Sequence, residues 1–327
     1  VFLIANDGSP DADGNGTVSD AEKGLPENAA TFNMYGGNIF ATEGKTTSGS
    51  GGLVGSFHYG NINIHGGYIH GGTAKAGNGG NISVNGNLTI SGGEIYDGTS
   101  GKGYSGGSIY VAKGSCTISG GKFYNSTSGA NAGHIYLNKT TTGTTITGGT
   151  FSGGAVAAGY AGKDVYIAAN VVDNAVTNPL VLNGAIGTLD YSTDKTPIVL
   201  GEDFSANKIT VNTTVDYGTI VKSGATVENV KCFEPADSTK RIMLVNSTIR
   251  LANPESTKTH SICYCGGNGA YLHTSIGHTN CTVKTDWIDL NAHLASLAPA
   301  AGSKVELKEN DKRYYLSDDL TIDYYLV

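Results

Sequence analysis

The sequence predicts a right-handed parallel β-helix: an all-β solenoid of stacked coils, followed by an irregular β-rich C-terminal cap and linker. Three observations carry this. The 327 residues hold 49 glycines but only 7 prolines, 2 methionines and 1 tryptophan, a composition foreign to compact globular domains. A short glycine-centred unit returns at a nearly fixed interval, the mark of a repeat architecture. Between the glycines, apolar and polar residues alternate with period 2, as in strands with one buried and one solvated face.

The repeated unit is apolar-x-Gly-Gly-x-apolar. It occurs as Met34-Tyr35-Gly36-Gly37-Asn38-Ile39, Ile64-His65-Gly66-Gly67-Tyr68-Ile69, Ile90-Ser91-Gly92-Gly93-Glu94-Ile95, Ile118-Ser119-Gly120-Gly121-Lys122-Phe123 and Ile146-Thr147-Gly148-Gly149-Thr150-Phe151. The glycine pairs lie 30, 26, 28 and 28 residues apart. A second unit interleaves with it: Gly79-Gly80-Asn81-Ile82-Ser83-Val84, Gly106-Gly107-Ser108-Ile109-Tyr110-Val111, Ala132-Gly133-His134-Ile135-Tyr136-Leu137 and Gly162-Lys163-Asp164-Val165-Tyr166-Ile167. Each period therefore holds two or three short strands.

Alternation assigns the faces. Phe32 and Met34, Ile62 and Ile64, Leu88 and Ile90, and Cys116 and Ile118 point inward, while Asn33, Asn63, Thr89, Thr117 and Thr145 form an outward ladder. A period of this length cannot hold a strand, a packed helix and their turns, and residues 30–170 show no apolar 3.6 period. Coils that each cover the apolar row of the one below, rising ~4.8 Å per rung, satisfy both facts. The glycine pairs are expected at corners that need positive φ or leave no room for Cβ.

Residues 1–170 read as regular rungs. Residues 171–255 read as less regular rungs and a cap, with strand-like stretches at 179–182, 198–200, 209–211, 219–221, 241–245 and 248–251. Residues 256–327 read as a Cys/His linker and the start of a following β module, with 313–322 as a strand pair. Val1-Phe2-Leu3-Ile4-Ala5-Asn6 has the form of Ile109-Tyr110-Val111-Ala112-Lys113-Gly114, so the chain is expected to begin within a rung, as a segment of a longer protein.

Units of the form Gly-Gly-x-Ile-Tyr-Val, a short turn, then x-Leu-Thr-Ile-Ser-Gly-Gly-x-Ile resemble the repeats of large, adhesin-like surface proteins of Gram-positive gut-type bacteria. The resemblance is strong over about residues 30–170. It extends to Cys263-Tyr264-Cys265-Gly266-Gly267, Gly277-His278-Thr279 and Arg313-Tyr314-Tyr315-Leu316, which are similar to linkers between repeat blocks in such proteins. It implies an extracellular, cell-surface or secreted β-helix and no activity, since a fold does not carry a function.

About twenty residues are inserted at 7–30 relative to the other rungs. They contain Asp11-Ala12-Asp13-Gly14-Asn15-Gly16-Thr17-Val18-Ser19-Asp20-Ala21-Glu22, which fits the twelve-residue EF-hand calcium loop. Asp11, Asp13 and Asn15 supply oxygens at positions 1, 3 and 5, Thr17 its carbonyl at 7, Ser19 a water-mediated contact at 9 and Glu22 a bidentate carboxylate at 12. A polar surface insertion rich in turn formers is the alternative.

The five cysteines cannot all pair internally. Cys116 and Cys232 read as small core residues. Cys263, Cys265, His278 and Cys281, with His260 as an alternate, can supply four ligands to a tetrahedral zinc ion. A Cys263–Cys281 disulfide leaving Cys265 free, or three reduced cysteines, remain open.

A net charge of -7, with 21 basic and 28 acidic residues and no basic stripe, excludes a nucleic-acid footprint. No apolar run is long enough to span a bilayer. No catalytic motif is present. In the regular rungs no two carboxylates are expected at matched positions, and Asp190, Asp194 and Asp203 are expected in solvated turns. Tyr110, Tyr136 and Tyr166 are expected to stack on the outer face, with Tyr96 and Tyr124 in a second stack flanked by His70 and Phe40. Such rows either stabilise the rod by rung-to-rung packing or offer a platform to sugar rings or a peptide. The expected function is an extracellular structural or adhesive segment of a cell-surface protein, with a glycan or a host or cell-surface protein as partner. The alternatives are a carbohydrate-binding module using the tyrosines and, last, a β-helix polysaccharide lyase or glycosidase.

Overall fold

The computed structural model describes residues 2–4, 30–42, 49–56, 59–168, 171–172, 175–176, 178–193, 197–213, 218–245, 247–252, 261–263, 271–273, 287–306, 313–315, 320 and 322–326. It divides into two units, Val1–Pro254 and Glu255–Val327. The first is a parallel β-solenoid of about 7 turns, as the glycine period predicts.

Each regular turn visits four faces. The turn that starts at Ile82–Val84 continues through Leu88–Ile90, Glu94–Tyr96 and Thr99–Ser100, then returns to the first face at Ile109–Val111. Stacking the turns gives a first sheet of nine strands and a second of ten. A third sheet has five strands (Asn38–Phe40, Tyr68–His70, Glu94–Tyr96, Lys122–Tyr124, Thr150–Ser152) and a short fourth has four. Pairing within the regular turns is parallel and in register: Ile62 lies beside Leu88, Leu88 beside Cys116 and Cys116 beside Thr144.

Register stacks the inward residues into columns. Val54, Ile82, Ile109, Ile135, Val165, Tyr191 and Val211 form one; Ile64, Ile90, Ile118, Ile146 and Leu182 form another. All twelve are fully buried. Burying each such side chain contributes about 1.5–3 kcal/mol against the ordering entropy of the turn. Cys116 sits in the Leu88 column, 1% exposed, as the small core residue the pattern predicts. The outward polar ladder is also present, with Asn63 Nδ2 donating to Asn33 Oδ1 at 2.9 Å.

The two glycines of each pair do different work. At Gly120 a Cβ would stand 2.5 Å from the Ser91 carbonyl oxygen of the rung below, whereas Gly121 adopts φ +94° to turn the chain into the third sheet. The same holds at Gly66, Gly92 and Gly148, whose Cβ would stand 2.5–2.7 Å from a carbonyl oxygen of the rung below, while the second glycine of every pair has positive φ.

After Val156 the coil simplifies. The third and fourth sheets end, and the strands Ala185–Thr193 and Ser205–Thr213 lengthen to nine residues and run straight into the first sheet. One corner is lost, and with it the glycine motif that built it. The solenoid ends in a hairpin: Arg241–Val245 pairs antiparallel with Thr248–Ala252, which pairs antiparallel with Gly218–Val221. Before it, the one-turn helix Val227–Val230 is held by a capping box between Thr226 and Asn229.

In the second unit, Trp287–Asp289 pairs parallel with Arg313–Tyr315, and Lys304–Val305 with Tyr325–Leu326. Arg313–Tyr315 is a strand, as expected, and its partner among the described residues is Trp287–Asp289; residues 316–319 and 321 of the expected pair lie outside the described residues. The helix Leu290–Leu297, which the sequence reading did not anticipate, buries Leu294. Ser261–Cys263 and Tyr271–His273 form an antiparallel pair. Among the described residues no helix is long and apolar enough to cross a membrane.

Candidate functional site

The third sheet presents the most structured outer face. Its inward column, Ile69, Ile95, Phe123 and Phe151, is buried, so the residues on either side point outward: Tyr68, Glu94, Lys122 and Thr150 in one column, His70, Tyr96, Tyr124 and Ser152 in the next. Beside the first column runs the side-chain-free row of glycine pairs. Together they form a groove of about 510 Å³ lined by Gly67, Gly93, Gly120, Gly121 and Gly149 along its floor and by Tyr68, Glu94, Lys122 and Thr150 along its wall.

An ordered polar triad lies in that wall. Lys122 Nζ donates to Glu94 Oε1 at 2.9 Å, and the Tyr124 hydroxyl donates to Glu94 Oε2 at 3.0 Å. The bond from Lys122, then that from Tyr124, holds the Glu94 carboxyl below its ordinary pKa, and the same pairing raises Lys122. The Tyr124 hydroxyl is raised, by desolvation first and by Glu94 second.

The tyrosines fall into the two expected rows. Phe40, His70, Tyr96 and Tyr124 stack with centroid separations of 5.6, 4.5 and 4.5 Å; Tyr110, Tyr136 and Tyr166 stack at 5.4 and 5.6 Å. Planes deviate by 10° or less. Separations this close to the ~4.8 Å rung rise mean that the ring normals follow the stacking direction. Within each row the inner rings, His70, Tyr96 and Tyr136, have a ring against both faces, so between rungs the rows turn edges outward. A sugar ring stacks on an aromatic face, and no such face opens between adjacent rungs. Tyr166 is moreover only 6% exposed, and burial raises the Tyr110 hydroxyl.

A second constellation is internal and escaped the sequence reading. Asn81, Ser108, His134, Asp164 and Asp190 occupy matched positions on five successive turns, each just ahead of a residue of the first apolar column. Asn81 accepts from the Gly72 amide at 2.8 Å and donates to the Tyr96 carbonyl at 2.9 Å. Ser108 meets Ser126 at 2.5 Å. His134, fully buried, places Nε2 3.0 Å from the Ser152 carbonyl and 3.5 Å from Asp164 Oδ1. Asp164 Oδ2 accepts from the Asp190 amide at 2.7 Å, and Asp190 Oδ1 from the Lys163 amide at 3.0 Å. Burial pushes Asp164 up to about 7 and His134 down to about 4.

This corrects one expectation: Asp190 lies in the strand Ala185–Thr193, at the rung position matched to Asp164, with its carboxyl pKa raised by burial, rather than in a solvated turn. Asp203 is exposed in a turn, and Asp194 lies outside the described residues. The signal in the sequence was the shared offset from Ile135, Val165 and Tyr191, hidden because an aspartate ahead of a strand usually marks a turn. Interior strand ends need acceptors and donors for backbone groups at each corner, and these side chains supply them.

The predicted calcium ligands Asp11, Asp13, Asn15, Thr17, Ser19 and Glu22 lie outside the described residues, as do Cys265, His278, Cys281 and His260. For Cys263 only its place in the strand Ser261–Cys263 is defined. Among the described residues no group of three or more His, Cys, Asp or Glu side chains is placed to hold a metal ion. No protein-family model matches the chain, and no curated protein or solved structure is detectably similar to it.

Proposed function

We propose that the chain is an extracellular structural and adhesive rod segment of a large bacterial cell-surface protein, without catalytic activity of its own. The observation that carries this reading is the in-register stacking of outward side chains. From Tyr68–His70 to Thr150–Ser152 every outward column is continuous, and the aromatic rows are packed ring on ring. Side chains spent on holding one rung to the next stiffen a rod. They also fix the spacing of whatever the rod displays to a glycan or to a host or cell-surface protein. The buried constellation supports the same reading, because His134 and Asp164 are enclosed in the coil and engaged with backbone groups rather than facing a cleft.

Antibodies raised against residues 30–252 test the location. Labelling of intact cells of the producing bacterium, lost after mild surface proteolysis, is the expected result; labelling that appears only after lysis overturns the reading. Release of reducing ends from a polysaccharide panel would replace it with the glycan-cleaving alternative.

A further inference from the structure

The geometry points to a glycan subsite in the glycine-floored groove of the third sheet, centred on Tyr68, Glu94 and Lys122 and distinct from the stacked tyrosine rows. We infer that it takes a neutral polysaccharide chain lying along the direction in which the rungs stack.

Tyr68 differs from the ladder aromatics. Its neighbours in register are Asn38 and Glu94, so no ring of an adjacent rung covers it, and among the described residues no ring stacks on it. It is 48% exposed and lines the groove. With no second ring against it, the exposed part of its ring can meet the C–H face of a sugar lying in the groove. An exposed aromatic beside a few fixed polar groups is the usual composition of a small-molecule or glycan site.

On the next two rungs Glu94 and Lys122 supply what hydroxyls need. The Glu94 carboxylate is fixed from two sides, by Lys122 Nζ at 2.9 Å and by the Tyr124 hydroxyl at 3.0 Å, and keeps lone pairs for sugar O–H donors. Lys122, with its side chain 63% exposed, retains further N–H donors. Hydrogen bonds to such charged groups are the strong ones. The two charges cancel, which selects a neutral chain over an anionic or cationic one. Three rungs cover about 10 Å, room for roughly two sugar units.

Backbone chemistry argues against a peptide. The amides of Tyr68, Glu94, Lys122 and Thr150 already donate to the carbonyls of Gly37, Gly67, Gly93 and Gly121. The groove thus offers no strand edge on which an extended peptide could add its own ladder. Glycines at the floor let a flat sugar approach the backbone closely, and the corner geometry that requires them keeps the floor open along successive rungs.

Affinity electrophoresis in gels containing neutral polysaccharides (mixed-linkage β-glucan, xylan, mannan, starch) and, separately, polygalacturonate tests the site. The intact chain should be retarded by at least one neutral polymer. Tyr68→Ala should weaken that retardation at least tenfold and Glu94→Gln severalfold, while Tyr136→Phe leaves it unchanged. Circular dichroism checks that the variants keep the fold, and Tyr68→Phe, which keeps the ring, should retain binding. Retardation by no neutral polymer, retardation by polygalacturonate alone, or binding that survives Tyr68→Ala overturns the inference. Surface location of the protein is read independently, so neither outcome bears on it.

Discussion

His134 Nε2 lies 3.5 Å from Asp164 Oδ1 on the neighbouring rung, with both side chains buried. Burial pushes the two groups toward neutrality in opposite senses: His134 down to about 4, only partly offset by the Ser152 carbonyl, and Asp164 up to about 7, against the stabilising Asp190 amide. In the unfolded chain the ordinary values are 6.5 and 3.8. Between pH 4 and 6.5 the pair therefore carries one proton in either state, on the histidine when unfolded and on the aspartate when folded. Its two contributions to the pH dependence cancel there.

Removing one partner should unmask the other. In Asp164→Asn only the depressed histidine remains, the unfolded state binds the extra proton, and stability should rise with pH from about 4 to 6.5. In His134→Gln only the raised carboxyl remains, the folded state binds the extra proton, and stability should fall as pH rises from about 4 to 7. Each slope can reach about 1.4 kcal/mol per pH unit. Urea unfolding of both variants and the parent across that range is the measurement; parallel pH profiles would sink the account.

Tyr136 is stacked on both sides, on Tyr110 at 5.4 Å and on Tyr166 at 5.6 Å. A double-mutant cycle of Tyr110→Ala and Tyr136→Ala should give a coupling of about 0.5–1.5 kcal/mol, the usual value of an aromatic pair beyond its buried area. Zero coupling in chemical unfolding would mean that the row adds nothing to rung cohesion.

Gly120→Ala places a Cβ 2.5 Å from the Ser91 carbonyl oxygen, a backbone atom that cannot swing aside, whereas at Gly143 a Cβ meets nothing within 4 Å. Gly120→Ala should cost on the order of 2 kcal/mol. Gly143→Ala should be within about 1 kcal/mol of neutral. Comparable thermal midpoints for the two variants would refute the assignment of the first glycine of each pair to rung-to-rung closeness.

For the metals, calorimetric titration should show calcium binding in the ~0.1–1 mM range of extracellular modules, abolished by Glu22→Gln. Protein purified without chelator should contain one zinc per chain, lost together in Cys263→Ser and Cys281→Ser. Identical calcium heats with and without Glu22, or zinc-free protein with one pair of thiols missing, would remove the respective sites.

The solenoid was legible in the sequence because its repeat is written in residues with no substitute. Gly36-Gly37 through Gly148-Gly149 mark one corner per turn, and alternation at Ile62, Ile64, Leu88 and Ile90 fixes which face is inside. Short-range periodicity also placed Tyr110 over Tyr136 and Tyr96 under Tyr124. Three things needed the stacked rungs. Whether an aromatic row shows faces or edges depends on ring planes, which parallel stacking turned to edges and which left Tyr68 as the uncovered ring of the groove. Whether Asp190 is solvated depends on the strand that carries it, which sequence pattern read as a turn. And the meeting of His134 with Asp164, thirty residues apart in the chain, is decided by register alone, because only the fold brings one rung to within hydrogen-bonding reach of the next.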